Sequence, residues 1–153
     1  MPKPIPDGYH SVTPYLICRN AAQAIAFYEK AFGAKELFRF PGPNGTVGHA
    51  ELQIGDSRIM MADEPSEGLW RSPQSVGGTS TVTLVLYVKE VDAVFRQAVA
   101  AGGKEVRKVE NQFYGDRMGT LQDPFGHIWT IGTHIEDVSP EEMKRRAAAL
   151  PPM

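Results

Sequence analysis

Residues 24–36 read Ala-Ile-Ala-Phe-Tyr-Glu-Lys-Ala-Phe-Gly-Ala-Lys-Glu, and residues 93–105 read Ala-Val-Phe-Arg-Gln-Ala-Val-Ala-Ala-Gly-Gly-Lys-Glu. A gapless shift of 69 residues aligns the two stretches, and it gives eight identical pairs when 24–59 is set against 93–128. Ordinary residue frequencies give about two or three identities over such a length. The repeat therefore indicates that one supersecondary unit occurs twice.

Each copy predicts the same order of elements, because a mostly apolar strand leads into an amphipathic helix and three strands follow. In the first copy Asn20 is an N-cap residue type and Gly33 stands where the helix should end. The predicted strands of the first copy are 12–18, 35–40, 47–54 and 58–63, and those of the second are 81–88, 105–109, 116–122 and 127–133. We expect an α+β fold in which two βαβββ modules in tandem form curved mixed sheets around a cleft, with the helices on the outside.

The repeat also divides the chain. We expect one domain over residues 1–153, with module one at 10–64 and module two at 81–135. The linker 65–80 is rich in Gly, Ser and Pro, which is typical of an exposed loop. A short surface helix is predicted at 139–149, because Ser139 and Pro140 suit the N-cap and the first helical position.

Composition excludes several function classes. A net charge of −2 over 153 residues lacks the clustered excess of Lys and Arg that nucleic acids and anionic membranes require. The chain has no apolar run of about 18–20 residues, so we expect no membrane span. Cys18 is the only cysteine, and the N-terminal residues lack the apolar stretch of a signal peptide. We therefore expect a cytoplasmic protein in which Cys18 is an inert core residue.

Strand alternation separates polar from apolar positions. In 47–54 the apolar residues Ala50, Leu52 and Ile54 share one face, and His49, Glu51 and Gln53 share the other. The repeat places Thr120 and Gln122 on the matching polar face of the second copy. We expect the two polar faces to converge on one ligand-binding cleft, although a solvated sheet face without a ligand has the same pattern.

Two motifs carry a family resemblance. Phe27-Tyr28-Glu29-Lys30-Ala31-Phe32-Gly33 on the first helix and Asp123-Pro124-Phe125-Gly126-His127-Ile128-Trp129 before the last strand resemble the vicinal oxygen chelate superfamily, which includes glyoxalase I, bleomycin-resistance proteins and extradiol dioxygenases. The resemblance covers residues 10–135. Within it, Gly48-His49-Ala50-Glu51-Leu52 and Tyr114-Gly115-Asp116-Arg117 look like the PhnB-like branch.

The resemblance implies where a metal would bind. Metal-dependent members carry a His or Glu ligand on the first and last strand of each module, and the matching positions here are Thr13, Met61, Thr83 and Thr130. Hydroxyls and a thioether are poor ligands for the divalent ions that imidazole and carboxylate hold. We therefore expect no metal cofactor, and we expect these four positions to contact an organic ligand instead.

Other residues are candidates for chemistry or binding. His49 and Glu51 are close enough on one strand face to act as a catalytic acid–base pair, or to hold a divalent metal with a third group. Tyr15 and Tyr114 are candidate ligand-binding residues. The planar guanidinium of Arg117 could bind a carboxylate or phosphate of a ligand through two parallel hydrogen bonds. Alternatively, Arg117 could form a structural ion pair with Asp116 or another acid. We expect His127 to be structural and Trp129 to lie in the core.

The favoured function is a small-molecule-binding protein without the usual catalytic metal, its ligand unidentified. The first alternative is an enzyme of the same superfamily, of lyase, isomerase or dioxygenase type, that uses His49 and Glu51. The second alternative is a non-catalytic dimeric scaffold. The resemblance and the apolar stretch 82–88 lead us to expect a homodimer.

Overall fold

The structure, a computed structural model, describes residues 1–152. Module one consists of β1 (Tyr15–Cys18), α1 (Ala21–Phe32), β2 (Lys35–Pro41), β3 (Val47–Ile54) and β4 (Ser57–Asp63). Module two consists of β5 (Thr83–Tyr87), α2 (Val91–Ala100), β6 (Lys104–Asn111), β7 (Asp116–Gln122) and β8 (Ile128–His134), and α3 (Pro140–Ala148) follows it. The α+β fold and its two βαβββ modules are confirmed.

Each module forms one four-stranded mixed sheet. The strand order is β1-β4-β3-β2 in the first sheet and β5-β8-β7-β6 in the second. The first and last strands of each module pair in parallel, and the other pairs are antiparallel. This topology leaves β1 and β5 at sheet edges, next to the strands that end the modules.

Local signals set the ends of the elements. The Asn20 side chain accepts a hydrogen bond from the Gln23 backbone N–H at 3.3 Å, and Gly33 ends α1 in the left-handed conformation at φ 67°. β1 begins three residues later than the predicted 12–18, because Pro14 has no N–H to donate to a ladder. Its carbonyl still accepts from the Met60 N–H at 3.0 Å.

The two modules share one hydrophobic core on the helix side of their sheets. The helices α1 and α2 contact each other, and Tyr28 and Phe32 of α1 pack on Trp129 of β8 with ring centroids 5.3 and 4.7 Å apart. Trp129 is buried, as predicted. Cys18 is also buried, and this burial raises the pKa of its thiol, which confirms the inert core position.

The repeat changes register by one residue before the last strand of each module. Gln53 of β3 pairs with Arg58, whereas the equivalent Gln122 of β7 pairs with Ile128, so the turn 123–127 has one residue more than the turn 54–57. A one-residue shift reverses which face a strand residue occupies. The counterpart of Thr130 is therefore Met60. Met61 has no exposed surface and lies in the core, so the prediction that it faces a ligand is wrong.

The C-terminal helix lies on the surface of the fold. Ser139 accepts a hydrogen bond from the Glu142 backbone N–H at 3.2 Å, as the N-cap prediction requires. Arg146 joins α3 to the domain by donating to the Phe113 carbonyl and to Glu136. Across residues 1–152, every helix is too short or too polar to cross a lipid bilayer.

Candidate functional site

The side of the first sheet that is turned away from α1 carries the principal site candidates; we call it the module-one face. The side chains of His49 and Glu51 lie on this face and are 24% and 12% exposed. Leu52, the next residue after Glu51, points to the opposite side and is fully buried. The predicted alternation along β3 is therefore confirmed. Met60 of β4 lies beside Glu51 in the same cross-strand row, and Tyr15 of β1 lies beside Met60.

A chain of hydrogen bonds runs across the module-one face. The Tyr15 hydroxyl lies 2.8 Å from His49 Nδ1, and His49 Nε2 lies 2.9 Å from Glu51 Oε2. The Tyr9 hydroxyl donates to the other carboxylate oxygen of Glu51. Because an ionised carboxylate only accepts, His49 donates to it through Nε2–H, and in the tautomer that carries only this proton Nδ1 accepts from the Tyr15 hydroxyl. The chain can therefore orient a ligand or pass a proton between Tyr15 and Glu51.

Aromatic rings border this chain of polar groups. The His49 ring centroid lies 5.4 Å from that of Tyr15, 5.9 Å from that of Phe38 and 6.5 Å from that of Phe40. Phe40 is 60% exposed, so much of its surface is available for stacking. Phe38 and Phe40 are not among the site residues predicted from the sequence, although their i, i+2 spacing on β2 places both on one face.

A cavity of about 800 Å³ opens beside Tyr15 at one end of the module-one face. Its walls include Ile17 of β1, Ala62 of β4 and the exposed ring of Trp70. This size and mixed lining are within the range of small-molecule sites. The linker supplies part of the wall, so its placement decides the cavity's shape.

Glu64 fixes the linker against the end of β4. Its carboxylate accepts from the Ser72 N–H at 2.8 Å, the Ser75 hydroxyl at 2.7 Å and Arg71 Nε at 3.0 Å. Desolvation alone raises the pKa of this carboxyl, but the three donors together outweigh it and lower the pKa to about 2. Glu64 thus stays ionised and keeps its three partners at any physiological pH.

A second cavity, of about 620 Å³, lies between the modules at the other end of the module-one face. Tyr9, Thr13 and Arg58 line it from module one, and Leu84 and Leu86 of β5 line it from module two. Thr13, one of the predicted ligand-contacting positions, is partly buried in this wall.

The polar face of the second sheet carries Thr83, Thr120 and Thr130. The Thr120 and Thr130 hydroxyls are 2.8 Å apart, and Thr83 is exposed. Gln122 donates to the Gly78 carbonyl at 2.8 Å and to the Gly126 carbonyl at 3.2 Å, so its amide holds the linker against the turn before β8.

The expected convergence of the two polar faces within one chain is not what the structure shows. In residues 1–152 no hydrogen bond joins His49 or Glu51 to Thr120 or Gln122, and none of the four lines the cavity between the modules. The modules meet instead through α1, α2 and the core that the helices share.

Arg117 has a structural partner. Its Nε and Nη2 atoms donate to both carboxylate oxygens of Asp92 at 2.8 and 2.9 Å. Of the two alternatives, the structure shows the ion pair, with Asp92 of α2 rather than Asp116. Along β7, Arg117 lies on the opposite face from Met118 and Thr120, and this face is turned toward α2. The prediction that Arg117 binds a ligand is therefore wrong. Tyr114 donates its hydroxyl to the sulfur of Met118 at 3.3 Å.

The donor set does not fit the divalent metal that the resemblance implies. Thr13, Thr83 and Thr130 offer neutral hydroxyls, and β4 offers a thioether at Met60. Among residues 1–152, no three His, Cys, Asp or Glu side chains are grouped so that they could hold a metal ion. His49 and Glu51 alone make two ligands, whereas protein metal sites generally use three or more protein donors.

His127 has the structural role predicted for it. It is buried before β8, and its Nε2 lies 2.9 Å from the Ile17 carbonyl, which points away from β4 at the free edge of β1. This bond joins the two modules and satisfies one edge carbonyl.

Comparison with known proteins agrees with this architecture. The chain is 42% identical over 137 residues to the uncharacterized protein Mb0911c of Mycobacterium bovis, an alignment that covers 88% of this chain and 90% of that protein. An Arabidopsis thaliana gene product of known structure is 28% identical, with a TM-score of 0.66 over 80% of this chain and 98% of that one. The PhnB protein from Bacillus cereus shares the fold at 19% identity and a TM-score of 0.62, covering 81% and 99% of the two chains.

A family model provides the assignment. The model of the Glyoxalase/Bleomycin resistance protein/Dioxygenase superfamily matches residues 8–131, which include both βαβββ modules up to the middle of β8. The paired modules, the shared helix-side core and this match agree, and the chain therefore belongs to the Glyoxalase/Bleomycin resistance protein/Dioxygenase superfamily.

Proposed function

We propose that this protein binds a flat aromatic small molecule on the module-one face, without a catalytic metal. The observation that carries the proposal is the half-buried chain Tyr15–His49–Glu51, bordered by the exposed rings of Phe38 and Phe40. Aromatic rings give stacking area, and a few fixed polar groups orient a ligand. Sequestration of a drug or metabolite would require only these features.

The test uses 2-methoxynaphthalene and 2-naphthol as probes, with binding followed by calorimetry and by the quenching of tryptophan fluorescence. Both probes are expected to bind the wild-type protein saturably, and Phe40→Ala is expected to weaken both about tenfold because a stacking surface is lost. Val106→Ala is the matched control, since Val106 is 58% exposed on β6 of the other sheet. Failure of both probes to bind the wild-type protein, or equal losses in the two variants, would contradict the proposal.

An enzyme of the same superfamily is the second candidate, and the continuous Tyr15–His49–Glu51 chain favours it. The Glu51 carboxylate fixes the imidazole ring so that Nδ1 faces the Tyr15 hydroxyl and a ligand beside it, which is the arrangement that proton transfer requires. Glu51→Gln removes the charge and keeps the shape of the side chain. A compound that the wild-type protein converts and Glu51→Gln only binds would establish the enzyme in place of the binding protein.

We also propose that the protein is a homodimer in the cytoplasm. Val85 and Tyr87 of the edge strand β5, and Val82 just before it, are each more than half exposed, and such an apolar edge is suited to burial against another chain. Sedimentation at tens of micromolar is expected to give twice the 16.8 kDa of one chain. A single species at the mass of one chain would rule out the dimer.

A further inference from the structure

We propose that Glu51 and Arg58 form a binding cradle for a neutral aromatic alcohol, and that the chain's own Tyr9 occupies this cradle until such a ligand displaces it. The inference rests on the proposed function, because it assigns a ligand class to the module-one face.

Two groups of the sheet hold the Tyr9 phenol. Its hydroxyl donates to Glu51 Oε1, and the guanidinium carbon of Arg58 lies 5.0 Å from the ring centroid, within the range of a cation–π contact. Arg58 is itself oriented, because its Nε donates to the Gln53 side chain at 2.9 Å across the β3–β4 pair. The cradle is therefore built on paired strands and does not need Tyr9 to keep its shape.

Tyr9 comes from a segment that is weakly attached. Residues 1–10 contain no helix or strand, and residues 1–8 are exposed. Among the hydrogen bonds of residues 1–152, those joining this segment to the rest of the chain go to Glu51 and to Arg58, which donates to the Asp7 carbonyl at 3.1 Å. A ligand that replaced the phenol would therefore break few other contacts.

The chemistry of the cradle selects the ligand. Both oxygens of Glu51 are occupied, Oε2 by His49 within the sheet and Oε1 by Tyr9. A ligand that takes the place of the Tyr9 phenol must supply a donor of its own to Glu51 Oε1, because an ionised carboxylate only accepts. An aromatic ring carrying a neutral hydroxyl reproduces both contacts of the phenol, whereas an anionic ring would be repelled by the carboxylate.

The cavity between the modules leaves room for the remainder of such a ligand. Tyr9 and Arg58 both line this space of about 620 Å³, and Val12, Leu84 and Leu86 give it apolar walls. The preferred ligand is thus a hydroxylated aromatic compound with an apolar body larger than the ring of Tyr9.

The experiment compares 2-naphthol, which donates a hydrogen bond, with 2-methoxynaphthalene, which does not. Calorimetry measures both probes with the wild-type protein, with Tyr9→Phe, and with Ser11→Ala, which removes an exposed hydroxyl from the residue just after this segment. Tyr9→Phe frees Glu51 Oε1 from its internal donor, so the affinity for 2-naphthol is expected to rise about tenfold. The affinity for 2-methoxynaphthalene is expected to change little, and Ser11→Ala is expected to change neither.

The outcomes separate this inference from the proposed function. If Tyr9→Phe leaves the affinity for 2-naphthol unchanged, or changes the two affinities equally, the cradle is overturned, while the loss of both probes in Phe40→Ala would still support the proposed face. If neither probe binds the wild-type protein or Tyr9→Phe, the proposed function and this inference are both wrong.

Discussion

Replacement of Leu52 by alanine is expected to lower the free energy of unfolding by about 2–5 kcal/mol. Leu52 has no exposed surface and lies on β3, between β2 and β4, where the sheet packs on α1. Removing its isobutyl group leaves a cavity that flanking strands cannot collapse into without breaking ladder hydrogen bonds. Urea unfolding followed by circular dichroism measures the loss. An unchanged m-value, the slope of the unfolding free energy against urea concentration, shows that the same folded state is compared in the two proteins.

Leu69→Ala provides the matched control. Leu69 is 86% exposed in the linker, so the same change in side chain should alter the free energy of unfolding by no more than about 0.5 kcal/mol. A loss below about 1 kcal/mol for Leu52→Ala would show that this residue is not part of the core, and the assignment of His49 and Glu51 to the opposite face would fail with it.

Asp123→Asn is expected to cost about 2–4 kcal/mol of stability, because one buried carboxylate serves four donors. Oδ2 accepts from the Tyr28 hydroxyl at 2.5 Å and Trp129 Nε1 at 3.0 Å, while Oδ1 accepts from the backbone N–H groups of Phe125 and His127 at 2.9 and 3.0 Å. An asparagine amide group in place of Oδ2 would face the indole N–H with another donor. Thermal and urea unfolding at neutral pH measure the effect.

Two further variants test that explanation. Tyr28→Phe removes one of the four donors and leaves the carboxylate with the other three, so it should cost less, about 1–2 kcal/mol. Asp56→Asn makes the same chemical change in an exposed turn and should be nearly neutral. If Asp123→Asn were as stable as the wild-type protein, the carboxylate would not be the group that joins α1 to the turn before β8.

Patterns that depend on near neighbours could be predicted from the sequence. The ends of α1 follow from Asn20 and Gly33, because capping acts within one helical turn. The faces of β3 follow from strict alternation, so His49 and Glu51 could be placed together on one side of the first sheet. The repeat and the two motifs then sufficed for the fold and the superfamily.

Contacts that depend on a single residue of spacing, or on distant parts of the chain, were decided by the tertiary structure. One extra residue in the turn 123–127 moves the last strand by one register position, which puts Met60 rather than Met61 on the same face as Glu51. Arg117 finds Asp92 because β7 packs under α2, 25 residues away. Tyr9 contacts Glu51, 42 residues along the chain, from a segment without regular structure. Neither periodicity nor a motif predicts a contact between such a segment and a distant strand.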